Sequence, residues 1–219
     1  MLAWCPSAKT IMGGTLTILI SFGVMTFISA LISNLGNKLQ RKLFDLWGGA
    51  PTTLIIRHTD ELLDKYTKVR YHQWLEGKMT DLKMPSLENE TNDPKDADHK
   101  YRSATNFLRE FTRDKNKFAV IYNDNVTYGF SRNLLSIRNF GLLVSTLSAV
   151  INAYFLWSLF ENGTDGASDS VMNSLFLGAG AGVTAVLFMF AFAFVVNEDF
   201  VKERAFRYAK SLYEACEIK

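Results

Sequence analysis

Charge is missing from three long stretches of this 219-residue chain. No Lys, Arg, Asp or Glu occurs in 11–32, 139–160 or 171–196. About 20 apolar residues in a helix, rising ~1.5 Å each, cross a hydrocarbon core of ~30 Å. Almost all of the 24 basic and 22 acidic residues lie between or after these stretches. That segregation excludes a single soluble globule and a disordered tail. Cysteine is equally scarce. Cys5 and Cys216 are the only two, and the topology below puts them on opposite sides of a membrane. A disulfide-stapled secreted module is therefore excluded, and both read as free thiols.

The uncharged stretches also lack histidine. Proton pumps, ion-coupled transporters and voltage sensors need ionisable groups inside the membrane, and intramembrane proteases need acids or metal ligands there. Three spans also fail to provide paired inverted repeats. The first stretch reads as a span and not a cleaved leader. Only Lys9 precedes it, its apolar run exceeds a leader's, and no small-residue cleavage site follows.

What is present fixes an expected topology. Lys38, Arg41 and Lys42 follow the first span, and Arg132 and Arg138 precede the second. The loop between the second and third holds Glu161, Asp165 and Asp169 and no base, and Lys202, Arg204, Arg207 and Lys210 follow the third. Basic residues accumulate on the cytoplasmic side. The expectation is an integral, mainly α membrane protein with three transmembrane helices, N-out and C-in. Its segments are an external N-terminus (1–9), helix 1 (10–33), a cytoplasmic domain (34–138), helix 2 (139–160), an external loop (161–170), helix 3 (171–196) and a cytoplasmic amphipathic helix (197–219). The location is the cell membrane, multi-pass, and the inner membrane in a bacterium.

The cytoplasmic segment carries 18 basic against 14 acidic residues. It reads as a small α+β domain. Asn37 to Trp47 forms an amphipathic helix with Leu39, Leu43, Leu46 and Trp47 on one face, and Gly48-Gly49 ends it. Leu54-Ile55-Ile56 has the β-branched character of a strand. Thr59 caps a helix reaching Glu76, with Leu62, Tyr66, Val69 and Trp74 along it. Residues 79–97 are a loop. A second helix over 97–112 places Tyr101, Ala104, Leu108 and Phe111 together. Residues 118–130 read as a β-hairpin turning at Asn123-Asp124-Asn125, and Ser131 then caps helix 2. Val201, Ala205, Tyr208 and Leu212 form the apolar face of the tail, which continues helix 3 as one rod.

Three groups of residues carry candidate chemistry. His58, Asp60, His72 and His99, with Arg57, Thr59 and Asp64 nearby, are the types used in acid–base and metal sites. Their spacing matches no H-E-x-x-H or EF-hand pattern, and capping accounts for Thr59 and Asp60. No catalytic residue is assigned beyond these candidates, and no metal or cofactor is expected. Arg102, Arg109 and Arg113 share a helix face suited to an anionic ligand or lipid headgroups, with nucleic acid disfavoured. Gly141, Ser145, Ser148 and Asn152 in helix 2, and Ser174, Gly178, Ala181, Gly182 and Ala185 in helix 3, form small-residue stripes. Such stripes serve helix packing, or line a pore in an oligomer, with Asn152 bonding across.

Together these features point to a non-enzymatic homo-oligomer in the lipid bilayer. Its cytoplasmic domain senses a signal or binds a soluble protein partner. The output is recruitment or membrane permeabilisation, as in a bacterial stress or phage-defence effector. A membrane-anchored enzyme using the His/Asp cluster is the rival. In a background without Cys5 and Cys216, an Asp165→Cys thiol is expected to label only from outside and an Asp114→Cys thiol only from inside. The reverse pattern in a sided-labelling assay overturns the topology.

Overall fold

The computed structural model describes residues 6–161 and 169–218, and every regular element among them is helical. The helices are α1 (Pro6–Trp47), α2 (Pro51–Leu54), α3 (Lys65–Lys78), α4 (Leu87–Asn92), α5 (Pro94–Phe111), α6 (Ala119–Ser136), α7 (Arg138–Glu161), α8 (Asp169–Phe190) and α9 (Glu198–Glu214). A π-helical turn, Ala191–Val195, follows α8, and a 3-10 turn, Ala215–Glu217, closes the chain. The expected Cys5 thiol and most of the loop between the second and third spans lie outside the described residues.

Three helical segments are long and apolar enough to cross a membrane. They fall in Ile20–Leu54, Arg138–Glu161 and Met172–Val195. The last two form a tightly packed hairpin, α7 on α8. The first is the start of a 42-residue rod about 63 Å long. Ile20, Phe22, Met25, Phe27 and Leu31 on it are all exposed. From Gly36 onward the same rod packs on α6, where Gly36 lies against the Asn133 side chain. The expected separate amphipathic helix over 37–47 is thus the end of α1. Leu43 is buried there, whereas Leu46 is 70% exposed.

The polar head is built around α9. Val201, Ala205, Tyr208, Ala209, Leu212 and Tyr213 are buried against α6, α5, α2 and the end of α1. The apolar face expected of the tail is therefore covered by its own chain. Tyr71 stacks on Tyr213 and Tyr128 on Tyr208, both with ring centroids 6.3 Å apart. Full burial of such side chains contributes about 1.5–3 kcal/mol each.

The α+β expectation is overturned, since no strand exists among the described residues. Leu54 ends α2, a single turn started by Pro51, and Ile55 and Ile56 follow it fully buried. An isolated strand there has no neighbour to pair its backbone groups. The expected hairpin over 118–130 is α6. Its Ile121 and Tyr128 share a helical face, and Asp124 reaches across to Arg207 at 3.1 Å and to Ser211, both on α9. Packing on two neighbours overrides the β-branched composition. Ser131 is no cap. It is buried inside α6 and donates to the Tyr128 carbonyl at 2.8 Å.

Other boundaries shift for local reasons. Asp64, not Thr59, caps α3, accepting from the Thr67 amide at 2.9 Å. The loop over 79–97 contains α4, capped by Ser86. Gly48 and Gly49 turn the chain with φ of 81° and 148°, which favours glycine. The third span and the tail are two helices. Val196 and Asn197 break them, and the Asn197 side chain caps α9 by accepting from the Phe200 amide at 2.9 Å.

The α7–α8 contact is set by glycine. The Phe192 ring lies directly over Gly141, and Gly178 faces Leu156 and Phe155. Gly180 faces open space. Gly141→Leu is expected to destabilise the hairpin by about 1–3 kcal/mol through overpacking, and Gly180→Leu to leave it nearly unchanged. Equal effects in a steric-trapping or detergent-unfolding assay would show that the close approach is not what holds the pair.

Candidate functional site

The sequence around Arg57-His58-Thr59-Asp60 enters a buried polar network. Glu90, at the end of α4, is 5% exposed and its carboxylate is the hub. It accepts from the amides of His58 (2.8 Å) and Thr59 (3.3 Å), from the Thr59 hydroxyl (3.0 Å) and from the Tyr101 hydroxyl (2.5 Å). Lys68 of α3 is also buried, and its ammonium donates to the carbonyls of Arg57 (2.8 Å) and Asp60. The Arg57 guanidinium makes a two-pronged contact with Asp98 of α5, at 2.9 and 2.6 Å. Three short helices and the irregular 55–64 segment are fastened together at this point.

The histidines divide. His58 and His72 pack edge to face with centroids 4.9 Å apart. A ring nitrogen of each meets a backbone carbonyl, Pro85 for His58 at 2.9 Å and Ile56 for His72 at 3.1 Å. His99 is exposed on α5 and joins none of these contacts. The Asp60 side chain accepts from the Leu62 amide at 2.9 Å. Among the described residues, no group of three or more His, Cys, Asp and Glu is placed to hold a metal. The four candidates thus fall into an edge-to-face pair, a turn-forming acid and an isolated surface ring.

Lys68 and Glu90 escaped the sequence reading because polar residues hide a buried face. The apolar pattern of α3 put Leu62, Tyr66 and Val69 inside, but Leu62 and Tyr66 are 60% and 78% exposed. The buried face is Lys68, Tyr71, His72 and Leu75. That spacing is helical, yet two of its four members are polar and conceal it. Glu90 sits in a segment whose five acids looked like a solvated loop.

The arginine face of α5 borders two connected clefts. Arg102 and Arg109 line one, of about 610 Å³, with Gln40, Asp45, the Gly48-Gly49 turn and Asp98. Arg109 and Arg113 line the other, of about 600 Å³, with Lys115, Tyr128, Arg132 and Tyr208. Gln40 and Arg109 are common to both. All three arginines are exposed.

The small-residue stripes meet within the hairpin. Ser145 and Gly178 are buried there, and Gly182 faces the Asn152 Cβ. Ser174 is half-buried and Ser148 exposed. Asn152 does not bond across the hairpin through its amide. It donates to the Ser148 carbonyl of its own helix at 2.9 Å. Gly141, Ser145, Ser148, Ala181 and Ala185 border an apolar groove of about 470 Å³ between α7 and α8.

Where the hairpin meets the head, Arg138 closes the joint. Its guanidinium donates through Nε to the Phe192 carbonyl and through Nη2 to the Ala193 carbonyl, both at 2.8 Å. These carbonyls belong to the π-helical turn, whose altered bonding runs from the Val196 amide to Ala191 at 2.9 Å. Arg138 entered the sequence reading only as a topology marker.

No known protein family, curated protein or solved structure matches this chain.

The network has a defined acid response. Burial pushes the His72 imidazole below its usual range, with His58 adding to the effect and the Ile56 carbonyl opposing it. Burial opposes the Glu90 charge, but its hydrogen bonds outweigh that and hold the carboxyl below its usual range. A lowered native value means the unfolded chain binds the proton first as pH falls. Stability is therefore expected to decline below about pH 6.5 through His72 and again below about pH 4.3 through Glu90. His72→Gln is expected to flatten the first decline in a thermal-midpoint series. Glu90→Gln is expected to cost about 2 kcal/mol or more at neutral pH. A wild-type midpoint that stays level from pH 7 to 5 contradicts the assignment.

Proposed function

We propose that this chain is a non-enzymatic, oligomeric membrane protein whose cytoplasmic head binds a ligand or partner and passes the change to its membrane hairpin. The topology adopted is N-out and C-in, in the cell membrane. The observation that carries the reading is the joint. α6 and α9 pack together in the head and run into α7 and α8 with only a one-residue break at Ile137 and a short break at Val196-Asn197. Arg138 ties the start of α7 to the end of the α8 rod at the same level. A change in the α6–α9 angle has a direct path into the hairpin.

Two further observations favour this reading over its rivals. One ring nitrogen of His58 and of His72 and one carboxylate oxygen of Asp60 are engaged by the head's own backbone, which supports a packing and turn role for them. Gly178 and Gly182 are turned toward α7 within one chain, so they support packing over a pore lined by that stripe, and favour recruitment as the output. The exposed rod of α1 from Ile20 to Leu31 has no cover from its own chain, which supports assembly with further copies.

The solubilised particle is expected to have a protein mass that is a multiple of 24.8 kDa, and a monomer in lipid nanodiscs as well as detergent defeats the oligomer. Coupling is read by hydrogen exchange. Arg138→Gln is expected to raise exchange at amides 191–197 and in the first turn of α9 while α3 to α5 stay protected. A rise confined to the π-helical turn removes the mechanical link.

A further inference from the structure

The cleft between α5, α6 and α9 holds groups that the fold leaves unanswered. Four cations line it, Arg109, Arg113, Lys115 and Arg132, and no carboxylate does. Glu110 pairs with Arg113 at 3.1 Å from the exposed side. Asp124 is turned toward Arg207 of α9, and Asp114 accepts from the Asn116 amide in the α5–α6 turn. Arg132 donates to the side-chain oxygens of Gln40 and of Asn133, both neutral, so its charge stays uncompensated.

Two side chains of this cleft each carry a buried polar atom without a hydrogen bond, and one of these atoms, the Arg132 Nε, lies against Gly36 of α1. The Arg132 Nε and the Tyr128 hydroxyl are both shielded from solvent with no hydrogen bond. Tyr128 is 8% exposed, and its ring is held between Tyr208, stacked at 6.3 Å, and the Arg132 guanidinium, 5.8 Å from its centroid. A buried donor without an acceptor is costly, and such groups are rare in folded proteins. Here two lie on adjacent turns of α6, beside three further cations in a cleft of about 600 Å³, a volume typical of small-molecule sites.

We propose that this cleft is a binding site for a phosphate-bearing polyanion, with the Tyr128 hydroxyl and the Arg132 guanidinium donating to phosphate oxygens. Arg109, Arg113 and Lys115 neutralise the remaining charge. A phosphate offers several acceptor oxygens and more than one charge, which matches several cations and an orphan hydroxyl better than a single carboxylate does. The site deepens the receptor reading above by naming the chemistry of the head's ligand. The two remain separable, since the site is tested by binding and the coupling by Arg138→Gln.

The test uses the full chain in phosphatidylcholine nanodiscs, titrated with inorganic tripolyphosphate by calorimetry. One saturable site per chain is expected. Arg132→Gln is expected to weaken it about tenfold or more, and Tyr128→Phe about threefold. Lys202→Gln, on α9 outside the cleft, is expected to leave it unchanged. Without ligand, Tyr128→Phe is expected to raise the thermal midpoint, because it deletes an unpartnered buried hydroxyl. That result also shows that the variant folds. A second arm replaces part of the lipid with phosphatidylinositol 4-phosphate. Stabilisation by that lipid alone, lost in the same two variants, assigns the phosphate to a headgroup and keeps the site. Binding of neither probe, or binding that survives both Arg132→Gln and Tyr128→Phe, overturns it.

Discussion

A helix that leaves an apolar environment must find partners for the backbone carbonyls its own ladder releases, and at Phe192 and Ala193 that requirement is met by one arginine. The π-helical turn at Ala191–Val195 widens the last turn of the α8 rod and frees carbonyls at Phe192 and Ala193. Arg138, at the start of α7, fills both with the two prongs of one planar group. The same turn presents the Phe192 ring to Gly141. Charge and packing therefore meet at one level of the hairpin. The position of α9 relative to α8, and through α9 the whole head, follows from how this joint is closed.

The head is held by a second device of the same kind. A small helical domain with short α2, α3 and α4 has little regular backbone bonding to hold its irregular 55–64 segment. Glu90 substitutes for a missing neighbour by accepting from two successive amides, as an anion would at a helix start. Lys68 performs the complementary task, donating to two carbonyls of the same segment. The two charges lie on opposite sides of one stretch of chain, so neither is buried without compensation. Two of the candidates, His58 and His72, meet backbone carbonyls beside or within this segment.

The division between what could and could not be read from sequence follows from this. The spans were legible because a membrane imposes one simple rule over about 20 residues, and α5 was legible because Tyr101, Ala104 and Leu108 repeat cleanly at helical spacing. Of the expected arginine face, Arg102 and Arg109 lie on α5 and Arg113 falls just past its end. The strands were misread where short apolar or β-branched runs lack the length to distinguish helix from strand. Residues 118–130 become helical through contacts with α1 and α9, elements distant in sequence, and no local pattern encodes that. Asp124 illustrates the difficulty. In a string of Asn and Asp it resembles a turn, and its role is decided by Arg207 and Ser211, more than 80 residues away.

The isolation of α1 gives the architecture its last constraint. Its residues 20–31 are exposed, whereas its C-terminal half is wedged against α6 by Gly36 and linked to it by Gln40 and Arg132. The same arginine lines the basic cleft. A single side chain thus touches the rod, the α6 helix and the candidate ligand space together. In the proposed site, an anion that pulls the Arg132 guanidinium away from Gln40 would tie occupancy of the cleft to the attachment of α1 to the head. Linkage then works in both directions. Whatever covers the exposed half of α1 biases the cleft, and whatever fills the cleft biases how the rod is presented to its neighbours.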